Sequence, residues 1–110
     1  MTSLSTHVLD LTHGGPAMGV PVRLLRDGVP IAEAITDKDG RCPTLATVPV
    51  TAGHYALVFT VADYFRTRGV TLPDPPFLDV ITLTFGMTDD GHYHVPLLVS
   101  PFGYSTYRGS

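Results

Sequence analysis

The sequence predicts an all-β protein arranged as a sandwich of two packed sheets, and three observations carry that expectation. Ten prolines and eleven glycines cut the 110 residues into pieces shorter than an average helix. The pieces between them are rich in Val, Ile, Leu, Thr and Tyr, which suit a pleated, half-buried surface. The breaks themselves carry turn chemistry. Gly14-Gly15-Pro16, Asp27-Gly28 and Asp39-Gly40 supply the positive or fixed φ that chain reversals require.

In chain order, strands are expected at residues 4–10, 20–26, 29–36, 41–47, 54–60, 78–86, 91–99 and 103–108. The first runs up to the Gly14-Gly15-Pro16 break, the second and third flank Asp27-Gly28, and the fourth follows Asp39-Gly40. Such tight reversals favour antiparallel neighbours. Residues 62–69 are the exception: Ala62, Phe65 and Arg66 recur at helical spacing and Gly69 supplies a C-terminal stop, so one short helix is expected there. Eight short strands exceed what one open sheet holds comfortably in so small a chain. Two packed antiparallel sheets or a closed barrel follow, and the sandwich is the favoured form.

One domain over residues 1–110 is expected from the length. With 44% hydrophobic and 15% charged residues, the chain is too apolar and too weakly charged to be disordered. Its seven Lys and Arg against ten Asp and Glu give a net charge of −3, and the basic residues are scattered from Arg23 to Arg108. No nucleic-acid partner is expected from that pattern. The longest apolar stretches, such as Val95 to Val99, fall far short of the roughly 18 residues of a membrane span. No membrane partner is expected. Met1-Thr2-Ser3-Leu4 lacks a basic segment leading into a long apolar one, so a cytoplasmic location is expected, a processed export form aside. Cys42 is the one cysteine, which leaves no intrachain disulfide.

The segment Gly91-His92-Tyr93-His94-Val95-Pro96-Leu97-Leu98 is the most informative for chemistry. Strand alternation puts His92, His94 and Pro96 on one face and Tyr93, Val95 and Leu97 on the other. The second face is the more continuously apolar and is expected to look inward, which turns His94 outward toward solvent or a partner subunit. The plain reading of such a pair is a solvated or hydrogen-bonded structural feature. A metal reading would join His92 and His94 to His7 as three imidazoles with an open position. No acidic residue is evidently placed to orient them, and no metal is assigned.

Asp37-Lys38-Asp39-Gly40 invites comparison with a calcium loop, but Arg41 falls at the fifth position and Val48 at the twelfth, where a bidentate Glu is required. It reads as a turn, and Arg41 just beyond it offers a planar fork of donors for a carboxylate-like or imide oxygen. Cys42, between Arg41 and Pro43, reads as packing. Neither a Gly-x-Ser-x-Gly elbow nor a glycine-rich phosphate loop occurs, which disfavours an α/β serine hydrolase and a nucleotide enzyme.

Four segments together resemble the transthyretin-like 5-hydroxyisourate hydrolase family: Leu4-Ser5-Thr6-His7-Val8-Leu9-Asp10, Thr36-Asp37-Lys38-Asp39-Gly40-Arg41, His92-Tyr93-His94-Val95-Pro96-Leu97-Leu98, and Tyr104-Ser105-Thr106-Tyr107-Arg108-Gly109-Ser110. The last is the most specific. The resemblance implies a transthyretin-like sandwich of two four-stranded antiparallel sheets with one short helix, assembled as a homotetramer with sites in clefts between subunits. It implies hydrolysis of a ring amide of 5-hydroxyisourate, an oxidation product of urate, to 2-oxo-4-hydroxy-4-carboxy-5-ureidoimidazoline, with no cofactor. Carried over by position, His7, Arg41, His94 and Ser110 are the expected catalytic residues. His7, Arg41 and Tyr107 are expected to bind substrate, with His92 and Arg108 behind them. Either His94 or His7 would serve as base. The chain departs from the family pattern at Pro76-Phe77-Leu78-Asp79, where relatives read aromatic-aromatic-Pro, outside the carried-over site. The competing expectation is a carrier of the same fold, as in transthyretin, binding a small molecule without catalysis.

Overall fold

The computed structural model describes residues 1–109. The chain runs through β1 (Thr2–Asp10), β2 (Gly15–Pro16), β3 (Pro21–Arg26), β4 (Val29–Ile35), α1 (Pro43–Ala46), β5 (Gly53–Thr60), α2 (Ala62–Thr67), β6 (Val80–Met87), β7 (Gly91–Ser100) and β8 (Gly103–Thr106). These strands form two four-stranded sheets, ordered β2-β1-β7-β8 and β4-β3-β5-β6. The expected sandwich is present. Alternate residues of each sheet meet between them: Leu4 and Val8 of β1, Val22 and Leu24 of β3, Leu57 and Phe59 of β5, and Leu97 and Val99 of β7 are buried. Each such side chain contributes about 1.5–3 kcal/mol by leaving water.

Three details differ from expectation. Residues 41–47 do not form a strand, because Pro43 has no N–H for a ladder and its fixed φ suits a first helical turn; it starts the four-residue α1, which buries Leu45. A two-residue β2 appears instead at Gly15–Pro16, paired antiparallel with the end of β1. The third difference matters most: β1 and β7 pair in parallel, from Thr2 opposite Gly91 to Asp10 opposite Val99. Turn chemistry speaks only for strands that follow one another, and these two are separated by most of the chain. Elsewhere the expected antiparallel pairing holds. Asp27 (φ 49°) and Gly28 (φ 80°) close the two-residue hairpin between β3 and β4, as Asp-Gly predicts.

Helix α2 covers the predicted helical stretch and buries Ala62, Tyr64 and Phe65. Its start is tied to the segment before β6, since the N–H groups of Val61 and Ala62 both donate to the Asp79 carbonyl. Tyr64 reaches the end of β1, donating to the buried Asp10 carboxylate at 2.7 Å, while His13 Nδ1 meets the same carboxylate at 2.5 Å. Burial alone would raise the pKa of Asp10, but these bonds from Tyr64 and His13 outweigh it and hold the group below the ordinary carboxylate value. Burial, and donation to Asp10, push the Tyr64 hydroxyl up to about 12. This pairing fixes the far end of β1 in register.

The turn before Arg41 is built by Asp37. Its carboxylate accepts the N–H groups of Asp39 and Arg41 at 2.9 and 3.0 Å, and its carbonyl accepts Gly40 N–H at 2.9 Å. The bond from the Arg41 N–H is the chief reason that the Asp37 carboxyl lies below the ordinary range. Gly40 then packs on β1: Val8 N–H donates to its carbonyl at 2.8 Å, and its φ is +74°. A Cβ there would lie 2.4 Å from the Val8 carbonyl oxygen. Only glycine permits both the φ and the approach. Gly40→Ala is therefore expected to lower stability by about 2 kcal/mol or more, whereas Gly14→Ala, at φ +72° with nothing within 4 Å, loses only about 1 kcal/mol. Denaturant titration of both variants checks the difference.

Candidate active site

Alternation along β1 buries Thr2, Leu4, Thr6, Val8 and Asp10 and leaves Ser3, Ser5, His7 and Leu9 on the outer face. The parallel register then sets Ser3 beside His92, Ser5 beside His94 and His7 beside Pro96. As expected, Tyr93, Val95 and Leu97 are buried and His94 faces outward, half-buried; Pro96 shares its side of the strand yet is buried. The rings of His7 and His94 stand 6.4 Å apart between centroids, tilted by 43°. Arg41 joins them, because its backbone forms an antiparallel bridge with His7 as the chain leaves the Asp37 turn.

A continuous set of polar contacts runs along the same face. Ser3 Oγ lies 2.6 Å from His92 Nδ1, Ser5 Oγ lies 2.9 Å from His92 Nε2, and the same Ser5 Oγ lies 2.8 Å from His94 Nδ1. Both nitrogens of His92 are thus engaged by hydroxyls, and Nδ1 of His94 is engaged by Ser5. Among the described residues no three His, Cys, Asp or Glu side chains are grouped to hold a metal ion. Ser3 and Ser5 were not singled out from the sequence; alternation places them on the His7 face, but their contacts depend on the parallel register.

The C-terminal segment packs onto His94. Gly109 N–H donates to the His94 carbonyl at 2.7 Å, and a Cβ at Gly109 would lie 2.8 Å from His94 Cδ2. The backbone lies against the imidazole because residue 109 has no side chain, a role the sequence reading left unassigned. Arg108 does not reach toward His7; its guanidinium lies over the Tyr93 ring, 4.0 Å from the centroid, and donates to the His92 carbonyl at 3.3 Å. Tyr107 is exposed and lines an open cleft with His92, His94, Arg108 and Gly109. A more apolar groove adjoins it, between Leu83, Phe85, Tyr93 and Val95, and shares Tyr107 and Arg108 but no histidine. The structure therefore brings His7, Arg41, His92 and His94 together on one face, with Tyr107 and Arg108 beside them. Ser110 lies outside the described residues.

Electrostatics single out His94. Partial burial, then the charge of Arg41 and the neighbouring His7 and His92, lower its pKa from 6.5 and favour the neutral ring. A neutral imidazole beside a guanidinium is equipped to take a proton while negative charge forms nearby. Cys42, by contrast, is buried, and burial pushes its thiol up to about 11, so it is no nucleophile.

The chain is similar to known proteins along nearly its whole length. The sequence matches the profile described as the HIUase/Transthyretin family over residues 4–109. It is 51% identical over 117 residues to a 5-hydroxyisourate hydrolase of Pseudomonas aeruginosa, covering 100% of this chain and 93% of that one. The solved 5-hydroxyisourate hydrolase of Klebsiella pneumoniae superposes with a TM-score of 0.85 at 38% identity, over 98% of this chain and 99% of that one. Sea bream transthyretin in complex with thyroxine also gives 0.85, at 32% identity, over 97% of this chain and 94% of that one. With a profile match that spans nearly every residue and a relative half identical from end to end, the chain belongs to the HIUase/Transthyretin family.

Proposed function

We propose that this chain is a 5-hydroxyisourate hydrolase, opening the ring amide of that urate oxidation product to give 2-oxo-4-hydroxy-4-carboxy-5-ureidoimidazoline. The observation that carries the reading is the meeting of His7, His94 and Arg41 on one outer face, in a chain half identical to a relative of that name. His94, with Nδ1 held by Ser5, acts as base through Nε2 and takes a proton from the attacking water. Arg41 donates to the carbonyl oxygen as it becomes an oxyanion. The ring C–N bond then breaks and the departing nitrogen takes the proton back from His94. His7 binds the substrate beside Arg41, and Tyr107 closes on the flat heterocycle. Ser110 is assigned to the site by family resemblance alone.

A homotetramer is part of the proposal. The catalytic groups stand on an open sheet face, and a reaction that depends on electrostatic stabilisation gains from excluding bulk water, which a second subunit would do. Light scattering is expected to give four chains per particle. A fully active monomer would remove assembly from the reading.

The direct test follows the ultraviolet absorbance of freshly made 5-hydroxyisourate with and without the protein, the uncatalysed decay being the control. Faster loss is expected, unchanged by chelators. Tight binding of a thyroxine-like molecule with no faster loss would instead favour a carrier. His94→Asn and Arg41→Lys are each expected to lower turnover by about a hundredfold with folding preserved. Near-normal rates in both folded variants would refute the catalytic set.

The pH profile supplies a separate check. His94 works as a base only when neutral, so activity is lost as pH falls through its pKa, and burial and Arg41 set that value below 6.5. The acid limb of kcat/KM is therefore expected below pH 6.5. In Arg41→Gln it should move upward, because one source of the depression is gone. An acid limb that stays put in Arg41→Gln would separate it from His94.

A further inference from the structure

The row Ser3, His92, Ser5, His94 has a property that neither histidine has alone. A serine hydroxyl carries one proton and accepts through its lone pairs. Ser5 Oγ lies within hydrogen-bond distance of two imidazole nitrogens, His92 Nε2 at 2.9 Å and His94 Nδ1 at 2.8 Å. With both rings neutral, it donates to one and accepts from the other, so the protonation of the two rings is linked. If His94 Nδ1–H donates to Ser5, then Ser5 O–H donates to a bare His92 Nε2. His92 must then carry its proton on Nδ1, which faces Ser3 Oγ at 2.6 Å. That arrangement leaves His94 Nε2 as a bare lone pair. Shifting every proton one place along the row reverses it and puts the proton on His94 Nε2.

We propose that Ser5, His92 and Ser3 form a hydroxyl–imidazole relay that fixes the protonation of His94 and carries its proton between the buried end of the row and the exposed His92. The proposal rests on the reading of His94 as the base. As His94 Nε2 takes a proton from water, its Nδ1 proton passes to Ser5 Oγ while the Ser5 proton passes to His92 Nε2. One proton has entered the row, no electrons are transferred, and the positive charge stands on His92. There the ring is exposed to solvent, with the Arg108 guanidinium on the His92 carbonyl as the cation in direct contact with that residue. Return of the proton along the same row makes His94 Nε2–H the acid for the departing ring nitrogen. The positions fit this use: His94 and Ser5 are half-buried and His92 is exposed. The carbonyl of His92 is held by Arg108, and Gly109 lies against the His94 ring. Ser5 and His92 are thus positioning residues that act through His94.

Two measurements on the full chain decide it. The first needs no substrate: nitrogen chemical shifts of the imidazoles, near neutral pH, report which nitrogen of each ring is protonated. His94 is expected to carry its proton on Nδ1 in the native protein and to become a mixture of both tautomers in Ser5→Ala. His94 protonated on Nε2 in the native protein, or unaffected by Ser5→Ala, would overturn the relay. The second is kinetic. Ser5→Ala should lower kcat by about tenfold or more with KM nearly unchanged, and Ser5→Thr, which restores a hydroxyl, should recover most of it. His92→Gln keeps hydrogen-bonding atoms but cannot titrate; it should lose kcat in weak buffer and regain it with added imidazole, to which the native protein does not respond. Loss of activity in His92→Gln that imidazole fails to restore would reduce His92 to a structural contact. A native protein that ignores 5-hydroxyisourate yet shows the linked tautomers would refute the functional reading while sustaining the row.

Discussion

The parallel register of β1 on β7 is the constraint on which the rest of the site depends. It runs unbroken from Thr2 opposite Gly91 to Asp10 opposite Val99. A slip of one residue would move every β1 side chain to the other face, exposing Leu4 and Val8 and burying His7. The core therefore enforces the chemistry: the same alternation that packs Leu4, Val8, Leu97 and Val99 holds Ser5 against His94. At the far end, the buried Asp10 with its donors Tyr64 and His13 ties β1 to α2 and closes off an alternative register.

Around that pair, two glycines set distances that no other residue would allow. Gly40 lets the Asp37 turn rest on the Val8 carbonyl and so delivers Arg41 next to His7; Gly109 lets the C-terminal segment rest on the ring of His94. Neither carries a functional group. Each converts the absence of a Cβ into the placement of a neighbour, one for a guanidinium and one for an imidazole. The polar face is consequently assembled from four parts of the chain: β1, the Asp37 turn, β7 and the C-terminal segment.

Much of this was legible in the sequence. The Asp27-Gly28 hairpin, helix α2 and the outward turn of His94 follow from local rules, because turn φ angles, helical spacing and strand alternation act over a few residues. The reading of 41–47 as a strand failed locally, because Pro43 was placed inside the strand and is instead the first residue of a helical turn. The parallel pairing was illegible for a different reason: it joins residues about as far apart in sequence as this chain permits. Everything that depends on it was hidden as well, including Ser3 and Ser5 as partners of the histidines. Arg108 was read as standing behind the site, and its perch on Tyr93 could not be inferred because alternation gives the face of Tyr93 but not where the C-terminal segment crosses β7.

The same pairing has a consequence for how the protein comes into being. Ser5 and His94 are separated by 89 residues, so β1 leaves the ribosome long before its partner β7. Contacts of such long sequence separation form slowly, since a large loop must close before any bond rewards it. Until then the edge of β1 that faces β7 keeps its backbone groups open, the kind of edge that invites association with other chains. Helper factors that shield nascent chains would have most to do at this strand. A chain stalled before residue 91 would hold every strand of the β4-β3-β5-β6 sheet but lack His92 and His94 and the β7 side chains that complete the core, so catalytic competence and completion of folding arrive together.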